Sequence, residues 1–253
     1  MSPMNGVRLE EGRVLVDEQG WGALVDAAAN PDPEAFAGVL GAAESSPVTS
    51  DLHWTLRAHI EATLGMELAG RSSDGAAVGA SASSDGARGL LLLDTQAGRW
   101  SAGQDPVTMP DQERQVVPVL ASLMPGALLE MMQVGSRRGL GVDEAVSLPS
   151  AVLTGLLWRE PGTEAPTGGT AGRVAALLRD RPWRHWRVRV TGQQPGQEPV
   201  HDGLDLVVLE DGVLAIEALS SDALEVREVS PVDVLVRLVE AMRPGLAGAG
   251  VGA

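Results

Sequence analysis

The sequence predicts an α+β fold made of two quasi-repeated halves with antiparallel strands. Three observations predict it: short segments that alternate apolar and polar residues, an Asp-Gly hairpin signal, and a pattern of hairpin, strand and helix that occurs twice. The chain has 253 residues, which is long enough for a substantial core in one large or two small domains. Because 44% of the residues are apolar but only 3% are aromatic, the core must consist mainly of Leu, Val and Ala.

The first predicted elements are short strands followed by amphipathic helices. Residues 7–17 are typical of one or two strands, and apolar residues spaced three and four apart from Trp21 predict a helix after them. A short helix is expected to start within residues 30–36. Asp51 is placed to be the N-cap of a further helix, whose apolar residues recur every four positions up to residue 64.

The middle of the chain is predicted to be extended at first. Residues 66–70 (MELAG) favour a strand. The Ser-, Gly- and Ala-rich segment 71–88 favours a hairpin with a long flexible tip or a partly disordered loop. Residues 90–94 predict a buried strand that pairs back with residues 98–102.

Helical segments are expected next. The first runs from about 111 to 124 and is closed by Pro125-Gly126, and helical periodicity resumes over 127–134. Ser147 is placed to cap a helix that continues to about Trp158. Residues 161–172 (PGTEAPTGGTAG) form the clearest linker, and a short helix follows up to residue 180.

The last third of the chain predicts three strands and a helix. Residues 186–190 (WRVRV) alternate as a half-buried strand does, and residues 204–219 form a hairpin around an Asp-Gly turn. Residues 224–228 alternate in the same way. The final helix has Ser230 as its N-cap and is expected to end at Pro244. Its predicted core stripe is Val234, Leu235, Leu238, Val239 and Met242.

Two stretches of the sequence resemble each other. Residues 107–126 align without gaps on residues 226–245, and residues 90–94 match 206–210 after a three-residue indel. A duplication with pseudo-twofold symmetry would explain this likeness, and so would the general similarity of hairpin-plus-helix units. We expect two halves, 1–135 and 136–253, that share one sheet or pack their sheets together.

Charge and composition exclude several classes of function. The chain carries 34 acidic and 19 basic residues, a net charge of −15, and every basic residue is Arg. A general nucleic-acid binder is therefore not expected, because attraction to phosphates needs a basic footprint. The absence of Cys and Lys excludes disulfides, thiol nucleophiles and Schiff bases. The N-terminal residues lack a signal-peptide pattern and no apolar run could span a bilayer, so we expect a cytoplasmic protein without a membrane partner.

No motif for catalysis, cofactor binding or metal binding is present. The four histidines, His53, His59, His185 and His201, form no HExxH or HxH pattern. G-x-S-x-G is absent, and the lack of Lys excludes a P-loop. We therefore expect a protein that is not an enzyme and that has no catalytic residues, no cofactor and no metal.

The segment 173–190 (RVAALLRDRPWRHWRVRV) is a basic island in an acidic chain. It contains six arginines and one acid, with Trp183 and Trp186 among them. A solvated strand face would place Arg187 and Arg189 outward, paired with neighbouring acids. A partner-binding surface is the second interpretation, since Arg and Trp dominate interface hot spots. A nucleic-acid surface, on which bases stack, is the third.

The repeat, the hairpins and the WRVRV strand together resemble the EspG family of type VII secretion chaperones from actinobacteria. The matching segments are LLLLDTQAGRW with VTMPDQERQVVPVLASLMP, and RPWRHWRVRV with LVVLEDGVLAIEAL and VSPVDVLVRLVEAMRP. This resemblance implies a central antiparallel sheet flanked by two helical subdomains. It also implies a cytosolic, non-enzymatic chaperone that binds PE–PPE heterodimers.

The expected function is thus that of a chaperone or adaptor for a secreted, PE–PPE-like client. A small-molecule or lipid carrier with an apolar pocket is the alternative, and an enzyme of unrecognised type is a third hypothesis. A homodimer is also possible. The predicted partner-binding residues are Trp158, Trp183, Arg184, Arg187 and Arg189.

Overall fold

The structure is a computed structural model that describes residues 6–10, 13–30, 32–40, 47–94, 113–193 and 196–246. These residues form eleven strands and seven α-helices. The strands are β1 (Val7–Glu10), β2 (Arg13–Val16), β3 (Leu64–Ser72), β4 (Ala77–Ser84), β5 (Arg88–Asp94), β6 (Arg114–Leu120), β7 (Val146–Pro149), β8 (Trp183–Gly192), β9 (Val200–Leu209), β10 (Val213–Ala218) and β11 (Ala223–Val229). The helices are α1 (Glu18–Ala29), α2 (Pro33–Leu40), α3 (Pro47–Ile60), α4 (Met124–Met131), α5 (Ser150–Trp158), α6 (Gly169–Asp180) and α7 (Pro231–Leu246).

All eleven strands belong to one sheet, in the order β1-β2-β6-β5-β4-β3-β8-β9-β10-β11-β7. Every neighbouring pair is antiparallel. The two halves meet where β3 pairs with β8 along its whole length, from Leu64 to Ser72. The predicted antiparallel α+β fold is confirmed, and the halves share a single sheet.

The two halves have the same order of elements, but the match differs from the one that the sequence indicated. Strands β3 to β6 followed by α4 correspond in the sheet to β8 to β11 followed by α7. The helix predicted over 111–124 is wrong, because residues 114–120 form β6. The valines of this segment favour an extended chain, and Val116 is buried under the N-terminal helices.

Pro125 therefore lies in the first turn of α4, whereas Pro244 lies near the end of α7 without ending it. Proline fits the first turn of a helix because its missing N–H would have no partner there. The gap-free alignment of 107–126 with 226–245 thus matched the start of one helix with the end of another. Segment 90–94 likewise corresponds to β10, not to β9.

Helices α4 and α7 cover one face of the sheet, here called the first face. Their buried residues Met124, Leu128, Leu238 and Met242 join one core with alternate residues of the central strands, including Trp186. Three residues of the predicted α7 stripe, Val234, Leu238 and Met242, are buried. Val239 is 40% exposed and Leu235 is half-buried, so the stripe is narrower than predicted.

The second face carries two separate helix clusters. Helices α1 to α3 pack on β2, β5 and β6 through a core that includes Leu24, Phe36 and Leu56. Helices α5 and α6 pack on β9, β10 and β11 through a core that includes Leu153 and Leu178. These are the two helical subdomains that the family resemblance implied.

Segment 71–88 contains part of a hairpin, as the first of its two predicted alternatives has it, but the tip is short and the partly disordered loop is wrong. Strand β3 continues to Ser72, a short turn follows, and β4 occupies most of the remainder. Small residues suit β4 because it lies between β3 and β5, where Ala82, Ser83 and Ser84 are buried. The adjoining Gly70 of β3 must also be small, since a Cβ there would be 2.5 Å from the Trp186 ring of β8. The small side chains fit into a packed sheet, so they do not signal a loop.

Two predicted helix caps are also wrong. Asp51 lies inside α3, where its carboxylate accepts a 2.6 Å bond from Arg88. Ser147 lies in β7, and α5 begins at Ser150. The predicted strand over 98–102 lies outside the described residues.

Candidate partner-binding trough

On the second face of the sheet, no helix of the described residues covers the central strands. Between the two helix clusters, β3 and β8 alternate buried residues of the first face with exposed residues such as Glu67, Ala69, Arg187 and Arg189. We call this uncovered strip of β4, β3, β8 and β9 the trough. One end of it opens into a cavity of about 750 Å³ whose lining includes His59, Glu67, Ser81, Ser83, Arg189 and His201.

Because several residues of the central strands are small, the surface of the trough lies close to the strand backbones. Ala69 is the strand partner of both Gly79 and Arg187, and Gly203 is the partner of Arg189. Gly203 has no room for a side chain, because a Cβ there would lie 2.6 Å from the carbonyl oxygen of Val188. A partner segment can therefore approach the backbone of the central strands closely.

Two arginines of the trough are already engaged within the chain. The guanidinium of Arg187 donates to Asp205 Oδ2 at 3.1 and 3.2 Å, and His185 Nε2 contacts the other oxygen of the same carboxylate. Arg71 lies over the ring of Trp158 at 3.9 Å from its centroid. This stack joins β3 of the first half to the end of α5 in the second half.

Arg189 and Glu67 are differently placed. They face each other as strand partners across the seam of β3 and β8, and both are exposed. Neither forms an ion pair with any residue in the described ranges. The charges of both side chains are therefore exposed in the trough.

His59 forms part of the wall of the cavity. Its Nδ1 is 2.6 Å from Ser83 Oγ, and its ring meets the edge of Trp21 at a centroid distance of 5.2 Å. Burial lowers the pKa of His59, because the charged imidazolium loses solvation there. The ring is a neutral, ordered part of the wall near neutral pH.

The structure brings together three of the five residues predicted to bind a partner. Arg187 and Arg189 lie on the floor of the trough, and Trp158, 56% exposed, stands beside it on Arg71. Trp183 does not belong to this surface, since it is only 3% exposed and its Nε1 donates to the carbonyl oxygen of Leu178 at 2.7 Å.

Arg184 was also predicted for this surface, but strand alternation places its side chain on the first face. There it lies near Asp74, whose pKa is lowered by a hydrogen bond from Ser72 and further by the charge of Arg184. Arg71 and Glu67 were not among the predicted binding residues. Both could have been found, because residues 66–70 were predicted as a strand and alternation places 67, 69 and 71 on one face.

Among the described residues, no group of three or more His, Asp or Glu side chains could hold a metal ion. In the same part of the chain, no helix combines the length and the apolar character needed to cross a bilayer.

The architecture defines a class of protein: two similarly built halves share one antiparallel sheet and leave its centre open between two helix clusters. No family model and no curated protein matches the sequence. A solved structure does match: the Mycobacterium tuberculosis type VII secretion system chaperone EspG5, in complex with the PE25-PPE41 dimer. The similarity has a TM-score of 0.56 at 12% identity and covers 95% of this chain and 98% of that chain. The fold that the sequence resemblance implied is confirmed.

Proposed function

We propose that this chain is a non-enzymatic, cytosolic chaperone or adaptor that binds a PE–PPE-like client protein for type VII secretion. The observation that carries the proposal is the uncovered trough on the central sheet of a chain that has the fold of a type VII secretion chaperone. A sheet face left open between two helix clusters is suited to receive an element of another protein.

The composition of the trough supports protein recognition. Hot spots of protein interfaces are enriched in Trp and Arg, and the trough carries the Arg71–Trp158 stack beside Arg187 and Arg189. The stack holds an exposed indole in a defined orientation, which reduces the entropy lost when a partner packs on it.

Co-expression with each PE–PPE-like pair encoded beside this gene tests the proposal. The tagged chain is expected to co-purify with at least one pair, and Trp158→Ala is expected to weaken this complex about tenfold or more. Trp54→Ala is the matched control: Trp54 is 50% exposed and Arg57 lies 5.7 Å from its ring, but it belongs to α3, away from the trough. Failure to co-purify with every pair, or equal loss from both variants, would contradict the proposal.

A small-molecule or lipid carrier is a second candidate, and the cavity of about 750 Å³ favours it, because ligand sites commonly have such volumes. The lining includes the charged Glu67 and Arg189, which is less suited to an acyl chain than to a polar partner. Native mass spectrometry of freshly purified protein would detect a retained ligand. The possible homodimer stays a prediction, which light scattering can check.

A further inference from the structure

We infer that Arg189 receives a carboxylate side chain of the client, so that the client segment in the trough carries an acidic residue. This inference rests on the proposed function and specifies the chemistry of its partner. It follows from the way in which the charges of the trough are distributed.

Arg189 is the arginine of the trough whose charge is not engaged by another described side chain. Arg187 shares Asp205 with His185, and Arg71 stacks on Trp158. Guanidinium groups form their strongest contacts with carboxylates, often through two parallel hydrogen bonds. The N–H donors of Arg189 are not used by other described residues, so its guanidinium can bind an acidic group of a partner.

Glu67 does not neutralise Arg189 in the structure. The two residues are strand partners, yet no ion pair joins them. On the other side of Arg189, its partner on β9 is Gly203, which is exposed and has no side chain to stand beside the guanidinium. A client carboxylate can therefore reach Arg189 from the β9 side without displacing an internal partner.

The residues around Arg189 do not specify apolar neighbours for the acid. Among those that line the cavity beside it, Leu64, Leu90, Leu92 and Val190 are at most 8% exposed, because their side chains belong to the cores. The contact with the acid is therefore expected to be made by the guanidinium of Arg189 itself. The net charge of −15 repels acidic proteins at long range. The contact between Arg189 and the client carboxylate must offset this repulsion. It therefore favours a client whose acidic residue can reach Arg189 over other acidic proteins.

Single substitutions test the inference on a client pair that co-purifies with the wild-type chain. Arg189→Gln is expected to weaken binding about tenfold or more and to reduce its dependence on salt, because a charge-assisted contact is lost. Glu67→Gln should not weaken binding, because it removes an acid that competes for the guanidinium. Arg243→Gln is the matched control, since Arg243 is an exposed arginine of α7 on the other side of the sheet; its affinity should be unchanged.

A charge exchange then identifies the client residue. Arg189→Glu should abolish binding, and replacing one Asp or Glu of the client by Arg should restore it. If Glu67 and Arg189 only neutralise each other, the double variant Glu67→Gln plus Arg189→Gln will bind like the wild type, which would overturn the inference.

The two proposals fail in different ways. If Arg189→Gln binds normally while Trp158→Ala does not, the inference about the carboxylate is wrong and the proposed function stands. If the wild-type chain binds no client pair, the proposed function is wrong and the inference falls with it. Thermal melts of all variants should match the wild type, because the substituted side chains are exposed.

Discussion

At the scale of single residues, arginines that the sequence predicts together in one basic strand have different environments in the structure. Three arginines of β8 show this. Arg184 lies on the opposite face of the sheet from Arg187 and Arg189. Arg187 pairs with Asp205, whereas Arg189 has no ion pair among the described residues. Arg187 therefore fits the solvated strand face, because it is paired with an acid. The partner-binding and nucleic-acid interpretations of the basic island stay predictions.

Reversing both charges on the trough floor should abolish client binding without unfolding the protein. We expect Arg189→Glu to change stability by about 0.5 kcal/mol or less, as is usual for surface sites. Arg187→Glu should cost somewhat more, on the order of 1 kcal/mol, because it places an acid beside Asp205. A pull-down and a thermal melt of the double variant check both statements. Unchanged binding would assign both arginines to a purely solvated strand face.

Stability should fall as the pH drops below about 6.5, and His59 should account for part of this loss. The pKa of His59 is lowered in the folded chain, so the unfolded chain takes up the proton first. The contribution of the neutral ring is complete above the unfolded pKa and decreases below it. Urea unfolding at pH 7.5 and 5.5 should show a smaller difference for His59→Gln than for the wild type. His201→Gln, at an exposed position, is the control; an equal effect of both substitutions would contradict this assignment.

At the scale of elements, strand alternation was the most reliable signal in the sequence. It predicted the strands around residues 186–190 and 224–228, while two apolar runs joined by an Asp-Gly turn predicted both strands of the hairpin at Asp211-Gly212. The flexible tip predicted at β4 and the helix predicted at β6 have separate causes. A Ser-, Gly- and Ala-rich strand has no strong local preference and depends on its neighbours, and a short segment with mixed periodicity fits a helix or a strand equally well.

Two glycines of β3 should respond in opposite ways to the same substitution. Gly70→Ala is expected to destabilise the protein by about 1–3 kcal/mol, because its Cβ would lie 2.5 Å from the buried Trp186 ring. Gly65→Ala should be neutral or slightly stabilising, since no atom lies within 4 Å of a Cβ there. Chemical denaturation measures both. A Gly70→Ala variant as stable as the wild type would refute the packing described for β3 and β8.

At the scale of the whole molecule, the two halves are interlocked beyond the pairing of β3 with β8. The last helix, α7, belongs to the second half but reaches the first: the carbonyl oxygen of Gly245 accepts a 2.6 Å bond from Thr63 Oγ1. A Cβ at Gly245 would lie 2.7 Å from Leu64, so the contact is close. The main core on the first face contains residues of both halves.

The halves 1–135 and 136–253 should therefore not fold separately. Each fragment would expose one central strand and half of the main core, so we expect the isolated fragments to be unfolded or aggregated. The intact chain should unfold in a single transition. Calorimetry of the full chain and circular dichroism of the fragments check this, and two independent folded fragments would show instead that the division at 135/136 separates true domains.

The sequence by itself determined the α+β class, the antiparallel strands, most helices and the resemblance to the EspG family, because these depend on local periodicity, turn residues and composition. It also placed Trp158, Arg187 and Arg189 among the binding candidates. Only the tertiary structure decided that Trp183 is buried, that Arg71 supports Trp158 and that Arg189 is left without a partner among the described residues. The physical reason is that exposure and ion pairing arise where β3, β8 and β9 meet, and these strands are brought together from distant parts of the chain.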